Sequence, residues 1–169
     1  LLLKFITLYL VLLFGYQFFL NQFEGKGIDD FSRLVANQVV LVQNFLGYPS
    51  SLHHDVENSS LWFFTKDFYT TRMVEGCNAI SVMILFLAFI FSFYKGIKTI
   101  FYVVICLFFL HTINVLRIAG LNIVVHDYPK YQKIAHDYFF PAIIYGSILV
   151  MWIVWIHFFA LKNVKYEKV

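Results

Sequence analysis

Four long apolar segments, separated by shorter and more polar intervals, dominate the hydropathy pattern of the chain. They cover residues 5–23, 77–94, 99–121 and 137–161. A membrane-spanning helix needs about 20 mostly apolar residues, because each residue advances about 1.5 Å through a hydrocarbon core about 30 Å thick. The pattern therefore predicts about four transmembrane helices, with one large loop over residues 24–76.

The amino-acid composition supports this interpretation. The chain has 169 residues, of which 60% are hydrophobic, 21% aromatic and only 14% charged, whereas roughly 25% of residues are charged in soluble domains. A soluble core of this length cannot bury so much apolar surface, but a bilayer can accommodate it. We therefore expect an all-α integral membrane protein in which residues 1–169 form a single domain in the lipid bilayer.

The large loop carries the signals of an amphipathic helix. Asp29 and Asp30 resemble a helix N-cap, and apolar residues then recur at helical spacing as far as Leu46. Such a helix is expected on the outer side of the membrane, lying in the interface between lipid and water.

Two further stretches of the loop favour β-strands. Leu61–Phe64 and Phe68–Val74 are rich in aromatic, threonine and branched residues, which are enriched in strands. The second stretch leads directly into Glu75, Gly76 and Cys77. We therefore expect short strands immediately before the segment that begins with the cysteine.

The distribution of lysine and arginine predicts the orientation in the membrane. A simple count of basic residues is equal on the two sides, but one set lies in very short segments at the span ends, where the positive-inside bias acts most strongly. That set is Lys4, Lys95, Lys98, Lys162, Lys165 and Lys168; the opposite set is Lys26, Arg33, Lys66, Arg72, Lys130 and Lys133. We therefore expect both termini in the cytoplasm, with residues 24–76 and the short loop 122–135 outside.

Three of the apolar segments have a reactive or strongly polar residue near one end. Cys77 begins the second segment, Arg117 lies near the end of the third, and His136 immediately precedes the fourth. If the chain crosses the bilayer in order, these three ends share one membrane face. A thiol, a guanidinium and an imidazole on one face have the composition of an active site.

Each of these residues also has an ordinary structural explanation. Cys77 could be an unreactive interfacial thiol, although a water-facing helix start favours the thiolate. Arg117 could be an anchor that snorkels to the interface, and His136 could be a common interfacial residue. Cys106 lies in mid-span, where we expect it to pack as a small apolar side chain.

A polar stripe runs along the predicted third span. His111 and Asn114 precede Arg117 at intervals of three residues, so that the three lie on one side of a helix. Because lipid cannot solvate a guanidinium, this side should face protein or trapped water. Asn114 is well spaced to orient Arg117 directly.

Three motifs surround these residues in order along the chain. They are Glu75-Gly-Cys77-Asn-Ala-Ile, Asn114-Val-Leu-Arg117-Ile-Ala-Gly120 and His136-Asp-Tyr-Phe-Phe-Pro-Ala-Ile-Ile-Tyr-Gly146. Their order, their positions at the ends of consecutive spans and the predicted strand before the cysteine resemble the signature of the exosortase/archaeosortase family. The small size and the motif from His136 most resemble the exosortase F subgroup, over about residues 29–156.

The chain departs from the family pattern in two respects. Asn78 and Ala79 follow the cysteine, where many relatives have a small residue and glycine. The sequence also lacks the extra spans of larger members.

The resemblance implies a membrane cysteine protease and transpeptidase that needs no cofactor. Cys77 would form a thioester with exported proteins that end in a short motif, a hydrophobic span and a basic tail, and an unknown envelope acceptor would resolve it. His136 would be the general base and acid, and Arg117 would stabilise the oxyanion or the thiolate. Asn114 and Glu75 would support them. Such an enzyme is multi-pass in the bacterial cytoplasmic (inner) membrane, with its active site facing the periplasm or exterior.

Two other functions fit parts of the sequence. One is a non-enzymatic haem or metal protein that would use His111, His126, His136 and His157. The other is a structural or transport subunit in which Asn114 and Arg117 line a polar path. No basic stripe indicates a nucleic-acid partner, and adjacent histidines at 53 and 54 are only weak evidence for a metal.

Overall fold

The computed structural model describes residues 1–23 and 27–160, which form a mainly helical protein with one small antiparallel sheet. The helices are α1 (Leu2–Asn21), α2 (Asp30–Phe45), α3 (Ile80–Ser92), α4 (Ile97–Asp127), the single turn α5 (Gln132–Ile134) and α6 (Phe140–Trp155). The strands are β1 (Ser50–Asp55), β2 (Ser60–Thr65) and β3 (Phe68–Val74). A 3-10 turn (Pro129–Tyr131) precedes α5, and π-helical turns (Ala135–Phe139 and Ile156–Ala160) flank α6.

Among residues 1–23 and 27–160, three helical segments are long and apolar enough to cross a membrane, namely Leu2–Asn21, Ile97–Asp127 and Pro129–Phe159. They correspond to the first, third and fourth predicted spans with shifted ends. Large apolar side chains such as Phe101 and Phe108 are exposed on their outward faces, as lipid contact allows. These features are those of a membrane-embedded helical protein. The predicted end of the last span at Leu161, and Lys26, Lys162, Lys165 and Lys168, lie outside the described residues.

The second predicted span, residues 77–94, is wrong at its beginning. The helix there is α3, which begins at Ile80 and has 13 residues, so it is only about 20 Å long. The chain leaves the sheet through a turn in which Gly76 and Ala79 have φ angles of 91° and 65°. A right-handed helix excludes such angles, and Cys77 therefore lies in the turn and not in the helix.

Helix α4 extends beyond the predicted span 99–121. Its 31 residues give a length of about 46 Å, which exceeds a hydrocarbon core of about 30 Å. Its last turns therefore occupy part of the interval 122–135, which was expected to be a loop. The rest of that interval forms the 3-10 turn and α5, so this connection is almost entirely helical.

The amphipathic helix predicted after Asp29 is confirmed as α2. The Asp29 carboxylate caps it by accepting a hydrogen bond from the Ser32 backbone N–H at 3.0 Å. Its apolar face does not lie free in the interface, however, because it packs against the sheet and α4. The buried residues of this cluster are Ile28, Val35, Ala36, Val39, Leu61, Phe63, Met73, Val115, Ile118 and Ala119.

The sheet has the order β1–β2–β3 with antiparallel neighbours. The two predicted strands are confirmed: residues 61–64 lie within β2, and β3 covers Phe68–Val74 as expected. The strand β1 was not predicted. Because β2 lies between its two neighbours, β1 and β3 form the edges of the sheet.

A chain of polar side chains fixes the sheet and α2 to α4. Gln43 donates to the Thr65 hydroxyl at 3.0 Å and accepts from the Asn122 amide at 3.0 Å. The Thr71 hydroxyl donates to the other end of the Asn122 side chain. Gln43, Thr65 and Asn122 are fully buried, and a satisfied buried network of this kind specifies one arrangement of the elements.

A second core joins α3, α4 and α6. Its buried residues are Phe86, Ile90, Val103, Cys106, Leu110, Ile148, Met151 and Trp155. Cys106 is only 6% exposed in this cluster, so the prediction that it packs as an apolar side chain is confirmed. The second core lies towards the start of α4, and the first lies towards its end.

Candidate active site

Cys77 lies in the turn that connects the edge strand β3 to α3. Its backbone N–H donates to the carbonyl of Val74 at 3.1 Å. Its own carbonyl accepts a hydrogen bond from Asn114 Nδ2 on α4 at 3.0 Å. The turn is therefore held from both sides, by the strand that precedes it and by the long helix beside it.

The helical spacing predicted that Asn114 orients Arg117. The structure instead shows its side chain bonded to the turn that carries Cys77. The side chain is fully buried, and its amide donates to the Cys77 carbonyl. The other side-chain atom, Oδ1, is buried and has no hydrogen-bond partner within the described residues. The one hydrogen bond observed for the Asn114 side chain is therefore made to the backbone of Cys77.

Arg117 lies one helical turn further along α4 and lines two cavities. The larger has a volume of about 250 Å³ and also contains Cys77 and His136 in its lining. The smaller, of about 170 Å³, is bounded by Gly76 and Tyr145 among others. The guanidinium shares the larger cavity with Cys77 and the smaller one with Tyr145.

Arg117 has no carboxylate partner among the residues that the structure describes. The three ion pairs found there involve Arg33, His126 and His136, and no aspartate or glutamate lines the larger cavity. The Nε atom of Arg117 is buried without a partner in the same set of residues. A cation that is not neutralised by an acid remains available to stabilise an anion beside it.

His136 reaches the larger cavity from a π-helical turn, Ala135–Phe139. Pro141, the second residue of α6, has no backbone N–H, so the carbonyl of Asp137 lacks its usual helical donor, which favours an irregular turn here. Such π-turns often occur at functional sites. The His136 side chain is 67% exposed, and its Nδ1 lies 2.8 Å from Asp137 Oδ1. If Nδ1 carries the proton, Nε2 is free to accept one.

The larger cavity thus brings together the three residues that were predicted from three separate segments. Cys77 comes from the turn after β3, Arg117 from α4 and His136 from the π-turn before α6. The fold supplies a thiol next to an unpaired cation and an imidazole that is oriented by a carboxylate. This set of groups can perform nucleophilic acyl chemistry.

The sequence predicted that the Cys77 thiol lies at the start of a helix, but the structure places it before the helix. Cys77 precedes the first residue of α3, Ile80, by three positions, so it lies outside the first turn of that helix, where the dipole acts. The positively charged side chain of Arg117 lines the same cavity as Cys77.

Glu75 and Asn78 flank the cysteine but face a different environment. Glu75 does not line either cavity that Arg117 contacts; burial, reinforced by the charge of Asp29, raises the pKa of its carboxyl. Asn78 is fully buried and donates to the Ser32 and Tyr16 hydroxyls at 2.9 Å each. We assign both residues to the packing of α1, α2 and the turn.

Sequence reasoning missed several residues that line the cavities. Arg72 on β3 and Gln132 on α5 contribute to the larger one, and Tyr145 on α6 contributes to the smaller one. Only Arg72 had a visible signal, because it is the one charged residue of the strand that leads into the cysteine.

The remaining histidines do not converge on a metal site in the described part of the chain. His111 contacts Gln38 Oε1 at 2.7 Å, and His126 contacts the neighbouring Asp127 at 2.6 Å. His157 lies beyond the opposite end of α6 from His136. No group of three or more histidine, cysteine or acidic side chains placed to hold a metal occurs in residues 1–23 and 27–160.

Comparisons with known proteins add no relative. No family model, no curated protein and no solved structure matches this chain. The chemistry of the cavity and the motifs of the sequence are therefore the grounds on which a function can be proposed.

Proposed function

We propose that this protein is a membrane cysteine transpeptidase of the exosortase/archaeosortase type, which removes C-terminal sorting signals from exported proteins. The observation that carries the proposal is the single cavity lined by Cys77, Arg117 and His136. These are the residues of the three sequence motifs, and their types match the three tasks of acyl transfer. The tasks are nucleophilic attack, stabilisation of negative charge and proton transfer.

In the first half-reaction the thiolate of Cys77 attacks the carbonyl carbon of the scissile peptide bond. The carbonyl oxygen becomes negatively charged, and the guanidinium of Arg117 stabilises it. His136, which holds the proton taken from the thiol, passes it to the leaving nitrogen. The C–N bond breaks, the C-terminal span departs with a new amino terminus, and a thioester links the substrate to Cys77.

In the second half-reaction an acceptor resolves the thioester. An amine or another nucleophile of the cell envelope attacks the thioester carbon while His136 accepts its proton. The C–S bond breaks and the thiolate of Cys77 is restored. The exported protein is then joined covalently to the acceptor, and the enzyme contributes only its own side chains.

The proposed arrangement in the membrane has four crossings, with α3 as the shortest. Lys95 and Lys98 follow α3 and mark the cytoplasmic side in the predicted orientation of a bacterial inner-membrane protein. A helix about 20 Å long leaves part of a core about 30 Å thick uncrossed. Cys77 would therefore lie slightly below the outer membrane surface, beside the point where the hydrophobic span of a substrate begins.

Comparison of two cysteine variants tests the proposal. Cys77→Ala should abolish removal of the C-terminal span from exported proteins, because Cys77 is the only thiol in the cavity. Cys106→Ala should process like the wild type, because Cys106 is buried in the other core. The readout is the size of exported proteins at matched expression of the two variants. Normal processing in Cys77→Ala would overturn the proposal.

A further inference from the structure

The edge strand β3 of the sheet forms part of the wall of the larger cavity, which His136 also lines. Five consecutive residues of β3, from Tyr69 to Met73, line the same cavity as Cys77. Side chains of a strand alternate between the two faces of its sheet, so an unbroken run of lining residues means that the backbone edge itself faces the cavity. The strand β3 has only β2 as a neighbour in the sheet.

The turn between β2 and β3 determines which backbone groups of β3 point outward. Lys66 and Asp67 have φ angles of 50° and 66°, as in a two-residue type I′ hairpin turn. Such a turn is closed by a hydrogen-bonded pair, here Thr65 and Phe68. Because pairing alternates along an antiparallel strand, the N–H and C=O groups of Tyr69 point away from β2.

A β-bulge then shifts the alternation of inward and outward backbone groups along β3 by one residue. Thr70 is the extra residue, and its hydroxyl donates to the carbonyl of Phe63 at 3.1 Å. Thr71 takes the paired position opposite Phe63. The next residue, Arg72, is opposite Trp62 and directs its backbone N–H and C=O outward.

These outward groups have no backbone partner beyond the sheet. Within residues 1–23 and 27–160, no backbone group of Tyr69–Met73 bonds to a backbone group of another element. Proteins usually cover or block an edge strand, because its free groups pair readily with another chain. Here the edge lines a cavity whose wall also includes Gln132, His136 and Phe140.

We propose that an extended segment of the substrate adds to the edge of β3 as a fourth strand. This inference rests on the proposed function and names how that substrate is held. Strand addition uses backbone hydrogen bonds for affinity, and a new strand would lie about 4.8 Å from β3. The segment concerned is the one directly before the hydrophobic span, because β3 leads straight to the turn that carries Cys77.

The direction of the added strand follows from the membrane. In the proposed arrangement, β3 runs from the outer side towards Cys77, and the substrate chain runs from its exported domain towards its span. The two strands are therefore parallel, and alternate residues of the substrate donate and accept hydrogen bonds at the edge. Recognition depends on the backbone at every second position, with side chains contributing secondarily.

Backbone N-methylation of a synthetic substrate tests the pairing. The probe is a peptide that copies the C-terminal region of a host protein whose shortening depends on Cys77, methylated at one amide at a time and supplied in detergent micelles. Cleavage by the wild type should fall roughly threefold to tenfold at alternate amides before the cleavage site and change little at those between. Cys77-dependent cleavage that is equally insensitive, or equally sensitive, at all amides would overturn the pairing.

Substitutions on the edge provide the matching test on the enzyme. Arg72→Pro removes an outward N–H, which an edge strand tolerates without unfolding, whereas Arg72→Ala removes the side chain and keeps the N–H. Cleavage should fall roughly threefold to tenfold more in the proline variant than in the alanine variant. Equal rates in two folded variants would overturn strand addition while Cys77-dependent cleavage stands; absence of any Cys77-dependent cleavage would overturn the proposed function as well.

Discussion

Arg117 is the residue on which the proposed chemistry depends most after the nucleophile itself. It lines the same cavity as Cys77, lines the smaller cavity as well, and has no acidic partner in the described part of the chain. A charge placed in an apolar helix is costly unless protein or water solvates it. In the proposed function this charge would stabilise a transient anion.

Replacement of Arg117 by lysine should show whether geometry matters as well as charge. Arg117→Lys keeps the positive charge, but an ammonium does not reproduce the planar fork of donors. We expect processing to fall by roughly 10²-fold or more, as when a donor to an oxyanion is lost, with the protein still folded. The measurement is the cleavage rate at equal protein level. A rate close to that of the wild type would mean that Arg117 acts only as a diffuse charge or an anchor.

Glu75 allows a test of the assignment of its side chain to packing. Its pKa is raised, mainly by burial and also by Asp29, so the ionised carboxylate destabilises the fold relative to the neutral form. The loss of stability appears as pH rises through the raised pKa and is absent at pH values below the ordinary pKa of about 4.5. Glu75→Gln should therefore unfold at a higher temperature than the wild type at pH 7.5, and the difference should disappear near pH 4. A lower unfolding temperature at pH 7.5 would contradict the assignment.

The turn between β3 and α3 is the element that determines where the thiol lies. Ala79 caps α3 in a left-handed conformation with φ 65° and is 5% exposed. This conformation costs an alanine about 1–2 kcal/mol, whereas glycine adopts it readily. Ala79 therefore adopts, with some strain, the conformation that a glycine would adopt readily.

Two substitutions at this position should have opposite effects. Ala79→Gly should be neutral or stabilise the protein by at most about 1 kcal/mol, because relief of strain is partly offset by the greater freedom of glycine in the unfolded chain. Ala79→Val should destabilise it, because a β-branched residue is strongly disfavoured at positive φ. Thermal unfolding in one detergent compares the two. A lower stability for the glycine variant than for the valine variant would show that the left-handed turn is not formed.

Elements with a strong local signal could be predicted from the sequence. The capping residue Asp29 and the apolar period predicted α2, and aromatic and branched residues predicted β2 and β3. By contrast, the sequence Ser-Ser-Leu-His-His-Asp of β1 has little strand preference, and pairing with β2 decides its conformation. Hydropathy also does not register a positive φ, so the start of α3 was placed too early.

The candidate site was predictable to the extent that it depends on the order of the spans. Cys77, Arg117 and His136 were selected because three consecutive segments end on one face, and the structure brings them to one cavity. The hydrogen bond from Asn114 to Cys77 was not predictable, because it depends on how closely α4 approaches the turn. The free edge of β3 likewise arises only when the whole sheet is formed.

At the scale of the molecule, two hydrophobic cores hold different sets of elements together. The second core packs α3, α4 and α6 together, and the first attaches α2 and the sheet to the far part of α4. Arg117 lies on α4 immediately before Ile118 of the first core, and the larger cavity opens between the sheet and the helices. In the proposed function, a site at this position would receive an extended chain on the sheet side and a hydrophobic span on the membrane side.

Capture of the acyl-enzyme tests the central claim most directly. The purified protein would be mixed with the peptide substrate and analysed by intact-mass and peptide-mass spectrometry, with Cys77→Ala and Cys106→Ala as matched controls. We predict a covalent adduct on Cys77 equal in mass to the substrate without its C-terminal span, released by hydroxylamine, present in Cys106→Ala and absent from Cys77→Ala. Cleavage of the peptide by Cys77→Ala, or an adduct on another residue, would contradict the account.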